Sequence, residues 1–213
     1  MRHYSSQRYL ALEYGVAKSC ISPAIKWTMK ILVASKSFSL FNKQESISDH
    51  SESRIIDATE TRIDRPSKNQ RSWYSGKKKS HTIKTQIEVG ESTNLIYSVN
   101  FAKGSTHDFR LFTHSKVDYF KDTYLIVDKG YIGINKEHKN SIAPIKQSKN
   151  HKLSEEEKWY NIEVSKIRIA IEHVNAFIKK FKIVSTRFRN RRKSFKWYMT
   201  FICGIYNFEF AKF

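Results

Sequence analysis

The stretch 124–133, YLIVDKGYIG, decides the fold. A short continuous apolar run closed by a turn signal reads as a buried strand, here Tyr124–Val127, with Asp128 at its carboxyl end. Gly130 lets the chain turn sharply after that acid, and Tyr131 places a ring at the same edge. Working backwards, Arg54–Ala58 (RIIDA) is a second apolar run and carries Asp57. His81–Val89 (HTIKTQIEV) alternates as a half-buried strand does, and Asn94–Phe101 (NLIYSVNF) follows a GEST turn, so the two form a hairpin.

Working forwards, Ile142–Ile145 is a fifth strand. STHDFRLFTHS (105–115) reads as a short helix with Asp108 in its first turn. GYIGINKEH (130–138) turns into another short helix. LSEEEKWYNIEVSKIRIAIEHVNAFIKKF (153–181) opens with Ser154 as N-cap and three glutamates at the positive helix end. It runs to about Phe181, with a break expected near Asn161. The order is three strands, helix, strand, helix, strand, helix. That predicts an α/β fold, a mixed five-stranded sheet with flanking helices, and it resembles the ribonuclease H-like order.

Composition narrows the partner. The 213 residues carry 39 Lys+Arg against 20 Asp+Glu, a net charge of +19, yet 39% are hydrophobic and 14% aromatic. This is a globular chain with a polyanionic partner, and the interleaved rings favour nucleic acid over a membrane surface. No stretch reaches the roughly 18 uninterrupted apolar residues that span a bilayer. The most apolar one, Trp197–Phe210, is broken by Asn207 and Glu209 and reads as a core-packing terminal helix. No signal peptide opens the chain, so a cytoplasmic, nucleoid-associated location is expected. The only cysteines, Cys20 and Cys203, are far apart, which excludes a zinc site and predicts buried free thiols.

Residues 1–50 are read as a small helical, helix-turn-helix-like segment with a linker, and 51–213 as the catalytic domain. Leu10, Ala11, Tyr14, Val16, Ile21, Ile25 and Met29 supply a buried side at helical spacing. A second helix from about Lys18 would present Lys18, Ser19, Ser22 and Lys26 to a DNA groove. Residues 36–52, rich in Ser and charge, are the linker.

In a sheet of this order the first and fourth strands lie side by side, so Asp57 and Asp128 become neighbours, with Glu172 of the last long helix facing them. Three such carboxylates repel unless a cation lies between them. Two divalent ions roughly 3.5–4 Å apart would satisfy them and clamp an in-line phosphoryl displacement. Oxygen-only donors suit Mg2+ or Mn2+. Arg168, Glu172 and Lys179 lie four and seven residues apart on one helix face, so the two cations would reach phosphates on either side. Two basic segments flank the site. One holds Lys77, Lys78 and Lys79 with Trp73 and Tyr74 as stacking or wedging rings, in a projecting loop between the first two strands. The other holds Arg187, Arg189, Arg191, Arg192 and Lys193. Such runs bind duplex DNA independently of sequence and with strong salt dependence.

IIDATETRIDRPSKNQRSWYSGKKKSHTIKTQ, GSTHDFRLF, VDKGYIG, RIAIEH and KKFKIVSTRFRNRRK together resemble the catalytic region of bacterial insertion-sequence transposases of the DDE type. Within these, the resemblance is to the group with D-x-T-E and D-x-G-Y elements, over about residues 52–210. It implies a ribonuclease H-like fold, Asp57, Asp128 and Glu172 as the metal-binding catalytic triad, and partners of the family's kind: terminal inverted repeats, target DNA and further copies of the chain. It also implies two reactions, cleavage at the element's ends by activated water and attack of the freed 3′-hydroxyl on target DNA, with no covalent protein–DNA intermediate. Related families carry Tyr, two residues, Arg, three residues, Glu, six residues, Lys; Arg168, Glu172 and Lys179 match, whereas Ser165 stands at the Tyr position, so that tyrosine's role does not carry over. Similar transposases have more helical sequence ahead of the N-terminal segment, which implies a shortened recognition module here. The alternatives are a catalytically silent DNA-binding remnant that inhibits an intact transposase, and a nuclease without strand transfer.

Overall fold

The computed structural model describes residues 1–35, 37–38, 40, 53–115, 122–148 and 151–210. Most of the expected 36–52 linker lies outside them. Two helices come first, α1 (Gln7–Glu13) and α2 (Lys18–Ala34). The strands and helices that follow are β1 (Arg54–Arg62), α3 (Gln70–Trp73), β2 (Tyr74–Ser75), β3 (Ser80–Gly90), β4 (Ile96–Lys103), α4 (Asp108–Ser115), β5 (Leu125–Val127), β6 (Ser141–Ile142), α5 (Glu155–Lys179), α6 (Lys182–Ser185) and α7 (Phe195–Phe210).

The sheet is mixed and has six strands. Five of them lie in the order β4–β3–β1–β5–β6, which is the expected five, and the sixth is the short β2, paired to the start of β3. β1 and β3 are antiparallel from Arg54↔Gly90 to Arg62↔Thr82, and β1 and β5 are parallel with Ile56 opposite Val127. β1 is thus twice as long as the apolar run alone suggested, because the polar half, Thr59–Arg62, is held by β3's ladder. The fifth strand is shorter than Ile142–Ile145: it ends at Ile142.

Period-two alternation gives the sheet two unlike faces. Ile55, Ile83, Ile87, Val89 and Ile126 point to one side, under Val164, Ile171, Val174 and Ile178 of α5 and Phe195, Met199, Ile202 and Cys203 of α7. Each fully buried aliphatic chain there stabilises by about 1.5–3 kcal/mol. The other side is apolar only at its β5 end, where Ile56, Leu125 and Val127 meet Phe112, Tyr131 and Ile134.

α5 starts as expected, with a capping box in which the Ser154 hydroxyl accepts from the Glu157 N–H and the Glu157 carboxylate accepts from the Ser154 N–H. No break occurs at Asn161. Its side chain instead accepts from the Ile145 N–H (2.7 Å) and donates to the Ile145 carbonyl (3.1 Å), tying the loop after β6 to the helix. Asn207 does the same for α7 and β4: its amide exchanges two 2.8 Å hydrogen bonds with the backbone of Ile96. The polar residue that breaks the apolar Trp197–Phe210 stretch is therefore a clamp between helix and sheet edge. Among the described residues, no helix is long and apolar enough to cross a membrane.

The N-terminal helices differ from expectation in packing. Ala11, Ile21 and Met29 are buried, but Tyr14 is 70% and Leu12 77% exposed, and Val16 is exposed as well. α1 and α2 pack as a pair joined by a turn at Gly15 (φ +62°). Cys20 is exposed and only Cys203 is buried. Ahead of them, the carbonyls of Met1 and Arg2 accept from the N–H groups of Ile183 and Lys182, and Tyr4 packs against the main core.

Candidate active site

Because Ile56 and Val127 are partners in the parallel β1–β5 ladder, the next residue of each chain, Asp57 and Asp128, stands at neighbouring positions. β5 stops at Val127 while β1 runs on to Arg62, so the strands part at the two acids. Arg168 of α5 joins them: its Nη1 lies 3.2 Å from Asp128 Oδ1 and its Nη2 3.9 Å from Asp57 Oδ1. One α5 turn beyond Glu172, Asn175 donates from Nδ2 to Asp57 Oδ2 at 3.0 Å. Burial pushes the Asp57 carboxyl above the usual carboxylate range, against the lowering effect of the Ala58 N–H and the Arg168 guanidinium, and Asp128 and Asp108 add to the rise.

Glu172 is exposed on the same side of α5, between Arg168 and Asn175, and makes no hydrogen bond or ion pair among the described residues. There, no three carboxylate, imidazole or thiolate groups lie close enough together to hold a metal ion. Two of the three expected carboxylates are thus assembled; the third stands beside them on the helix.

A second charged cluster, which the sequence did not disclose, lies next to this one. Lys84 of β3 donates to Asp108 Oδ1 (2.7 Å) and the Thr106 carbonyl (2.6 Å), and lies 3.9 Å from Glu60 Oε1. Glu60 accepts from the Thr82 hydroxyl at 2.8 Å. The other oxygen of Asp108 reaches the loop after Asp128: a Cβ added to Gly130 would sit 2.5 Å from it. Gly130 is therefore required by close approach, since its backbone is not left-handed; the left-handed glycine of the loop is Gly133, at φ +98°. The loop forms two 3-10 turns, Lys129–Tyr131 and Ile134–Lys136, in place of the expected helix. Tyr131 is buried with its hydroxyl facing Gln86, and burial beside Asp108, Asp57 and Asp128 raises its phenol well above the ordinary value.

From Asp57 an open groove of about 990 Å3 leads away along β1. Asp57 and Asn175 line one part of it, and Lys77, Lys78, Lys79, Lys179 and Arg187 line the rest, with Tyr74 and His81. Six of the expected DNA contacts, Tyr74 among them, thus share one groove with an acid of the site. Arg187 also makes an exposed 3.3 Å ion pair with Asp64, which by itself is of little energetic consequence.

Other expected contacts are placed elsewhere. Trp73 is not a free wedge: it packs against the main core, with the Arg192 guanidinium 4.8 Å and the Lys103 ammonium 5.9 Å from its ring centre. Arg189 is engaged with Tyr4, stacking 4.2 Å above its ring and donating to its carbonyl. Arg191 and Lys193 are exposed on the segment before α7, and Lys18 and Lys26 are exposed on α2; none of the four lines the groove.

The residues missed were Asn175, Asp108, Lys84 and Glu60. Alternation in HTIKTQIEV places Lys84 with Gln86 and Glu88 on one strand face, which is ordinarily a solvated one. Only the tertiary structure shows that face covered.

A profile of the DDE superfamily endonuclease family matches residues 56–207. Over 212 residues the chain is 40% identical to a protein of Microchaete diplosiphon named "Probable transposase for insertion sequence element IS702", covering 99% of this chain and 77% of that one. No solved structure matches.

Proposed function

Since this chain belongs to the DDE superfamily endonucleases and to the insertion-sequence transposases within it, we propose that it cuts DNA at the ends of an insertion element and joins them to target DNA, with Asp57, Asp128 and Glu172 as its catalytic acids. The observation that carries this reading is the pair Asp57 and Asp128, brought together by the adjacent parallel strands β1 and β5 and bridged by Arg168, with Asp57 lining a basic groove. The mixed α/β sheet, with strand order β4–β3–β1–β5–β6 and helices beside it, supports this reading.

The donor set fits Mg2+ or Mn2+. Two carboxylates offer hard oxygen atoms, and neither cysteine is at the site. When bound, such ions supply Lewis-acid stabilisation of the attacking and leaving oxygens. Asp57 and Asp128 would hold them, and Glu172, exposed on the facing helix and without a partner among the described residues, would be the third carboxylate. Arg168 meanwhile neutralises the pair and keeps both side chains in place. Lys77, Lys78, Lys79, Lys179 and Arg187 bind successive phosphates, which sets the duplex in the groove without reading its sequence. Water or a 3′-hydroxyl is the nucleophile: Tyr131 is buried with a raised phenol, and burial pushes the Cys203 thiol far up, so neither serves. The reaction is carried out by copies of the chain assembled on double-stranded DNA in the cytoplasm, and α1–α2 is the helix-turn-helix-like unit that contributes Lys18 and Lys26.

A second reading rests on Arg168. Its guanidinium already bridges Asp57 and Asp128, as it would in a silent DNA-binding relative that occupies ends without cutting. One assay separates the readings. Purified protein, terminal-repeat DNA and MgCl2 should give nicks and then joined products, and Asp57→Asn should lower nicking by about 10^3-fold, the equivalent of about 4 kcal/mol. Equal cutting by parent and variant would refute the site; binding without cutting at any metal concentration would favour the silent relative; nicks without joined products would leave a nuclease.

A further inference from the structure

α5 carries four polar residues toward the site at helical spacing, Arg168, Glu172, Asn175 and Lys179. Glu172 and Lys179 are exposed, whereas Asn175 is only 7% exposed, and it is the one that touches Asp57. An ionised carboxylate can only accept hydrogen bonds, so chemistry fixes the amide's orientation: Nδ2 faces Asp57 and Oδ1 faces away. Asn175 Oδ1 is buried and has no hydrogen-bond partner among the described residues. A buried acceptor left unpaired costs about 1–3 kcal/mol, and native interiors contain few of them. Asn175 is itself among the residues that line the groove bordered by Asp57.

Arg168 repeats the arrangement. Its Nη atoms face Asp57 and Asp128, and its Nε is buried without a partner among the described residues. One helix therefore brings an unsatisfied acceptor and an unsatisfied donor to the two acids.

We propose that Asn175 is the positioning residue of the cation site: Nδ2 fixes the Asp57 carboxylate, and Oδ1 accepts a hydrogen bond from the water shell of the divalent cation bound there. The inference rests on the reading of Asp57 and Asp128 as cation-holding acids. Mg2+ and Mn2+ keep several waters when held by one or two carboxylates, and those waters need acceptors. A neutral amide serves this purpose without adding a further negative charge to acids that already repel each other. Partners of this outer-shell kind typically contribute 10–100-fold to metal affinity.

The test is a Mn2+ titration of the full chain, read from the electron paramagnetic resonance signal of free Mn2+ in the presence of a short duplex, with thermal melting of the metal-free proteins alongside. The parent should bind Mn2+ and Asp57→Asn should not. Asn175→Leu, of similar volume, should weaken Mn2+ binding by about 10–100-fold with little change in the melting temperature of the metal-free protein, because removing the unpaired Oδ1 offsets the loss of the Nδ2 hydrogen bond to Asp57. Asn175→Asp, which keeps an acceptor oxygen, should bind more tightly than the leucine variant. Asn175→Ala provides the same loss of affinity if the leucine variant does not fold. Mn2+ binding by the leucine and alanine variants equal to the parent's, with Asp57→Asn still inactive in binding, overturns the role of Asn175 and leaves the acids standing. An aspartate variant as weak as the leucine variant overturns the role of Oδ1. No binding by the parent overturns the acids and this inference together.

Discussion

The two faces of the central sheet are built on opposite principles. Under α5 and α7 the contacts are mainly hydrocarbon: Ile55, Ile87, Ile171 and Ile202 are fully buried in one apolar cluster. On the other face, ion pairs occupy the same depth. Arg54 pairs with Glu88 at 3.5 Å and stacks 3.6 Å from the centre of the Tyr97 ring, while Lys84 joins Asp108 and Glu60. Dry contacts stabilise without regard to direction. Charged pairs gain little over apolar packing but fix geometry when fully partnered. The dry face holds the sheet to its helices, and the charged face sets the height of the loop that carries Asp128, through Asp108 lodged beneath Gly130.

Breaking the charged face should have the largest effect. Lys84→Ala strands Glu60 and Asp108 without their cation and is expected to cost about 4 kcal/mol in urea unfolding. Replacing all three groups together, with Lys84→Met, Glu60→Gln and Asp108→Asn, should recover most of that stability but not nicking activity, which would separate geometry from stability. An unfolding cost for Lys84→Ala under about 1 kcal/mol would show that this face bears no buried charge penalty.

On the dry face, Ile171→Ala is expected to cost about 3 kcal/mol by the loss of buried methyl groups and the cavity left behind. It should leave Mn2+ affinity near the parent's as long as the protein is folded. A large change in metal binding from this variant would mean that the faces are not separate in function.

Gly130→Ala comes next, at about 2 kcal/mol of overpacking, since the Asp108 carboxylate that it would strike is held by Lys84 and cannot swing aside. Its loss of nicking should exceed what its fraction unfolded accounts for. Gly76→Ala, where nothing lies within 4 Å of the added carbon, is the matched control and should be near neutral.

The smallest effect has the opposite sign. Burial raises the Asp57 carboxyl in the folded chain, so the folded state holds that proton more tightly than the unfolded state. The stability gained from it is fully present below the ordinary carboxylate range and is lost as the pH rises through the raised value. At neutral pH and without metal, Asp57→Asn should therefore melt slightly higher than the parent, and the difference should close on acidification. Added MgCl2 should raise the parent's melting temperature and leave the variant's unchanged.

How far the sequence could be read depended on the kind of signal. Tyr124–Val127 followed by Asp128 is legible because a buried parallel strand needs a continuous apolar run and an acid cannot continue it. Ser154 with Glu157 marks a helix start by local chemistry alone. Asn161 and Asn207 read as interruptions because their amides clamp backbone that is remote in sequence, Ile145 and Ile96. Trp73 read as a free ring because its partners, Lys103 and Arg192, come from distant segments. Glu172 was placed on the right helix face, but a side chain's reach depends on its neighbours, and here it stands clear of the two aspartates.

By itself the sequence determined the strand order, the long capped helix, the pairing of Asp57 with Asp128 and the basic segments beside them. Each of these follows from local pattern, from periodicity and charge that a residue carries wherever it is placed. Only the tertiary structure decided which polar residues are buried. Lys84, Asp108 and Asn175 are ordinary surface residues by pattern. Long-range packing withdraws them from water, and their charges and amides then have to find partners across the sheet.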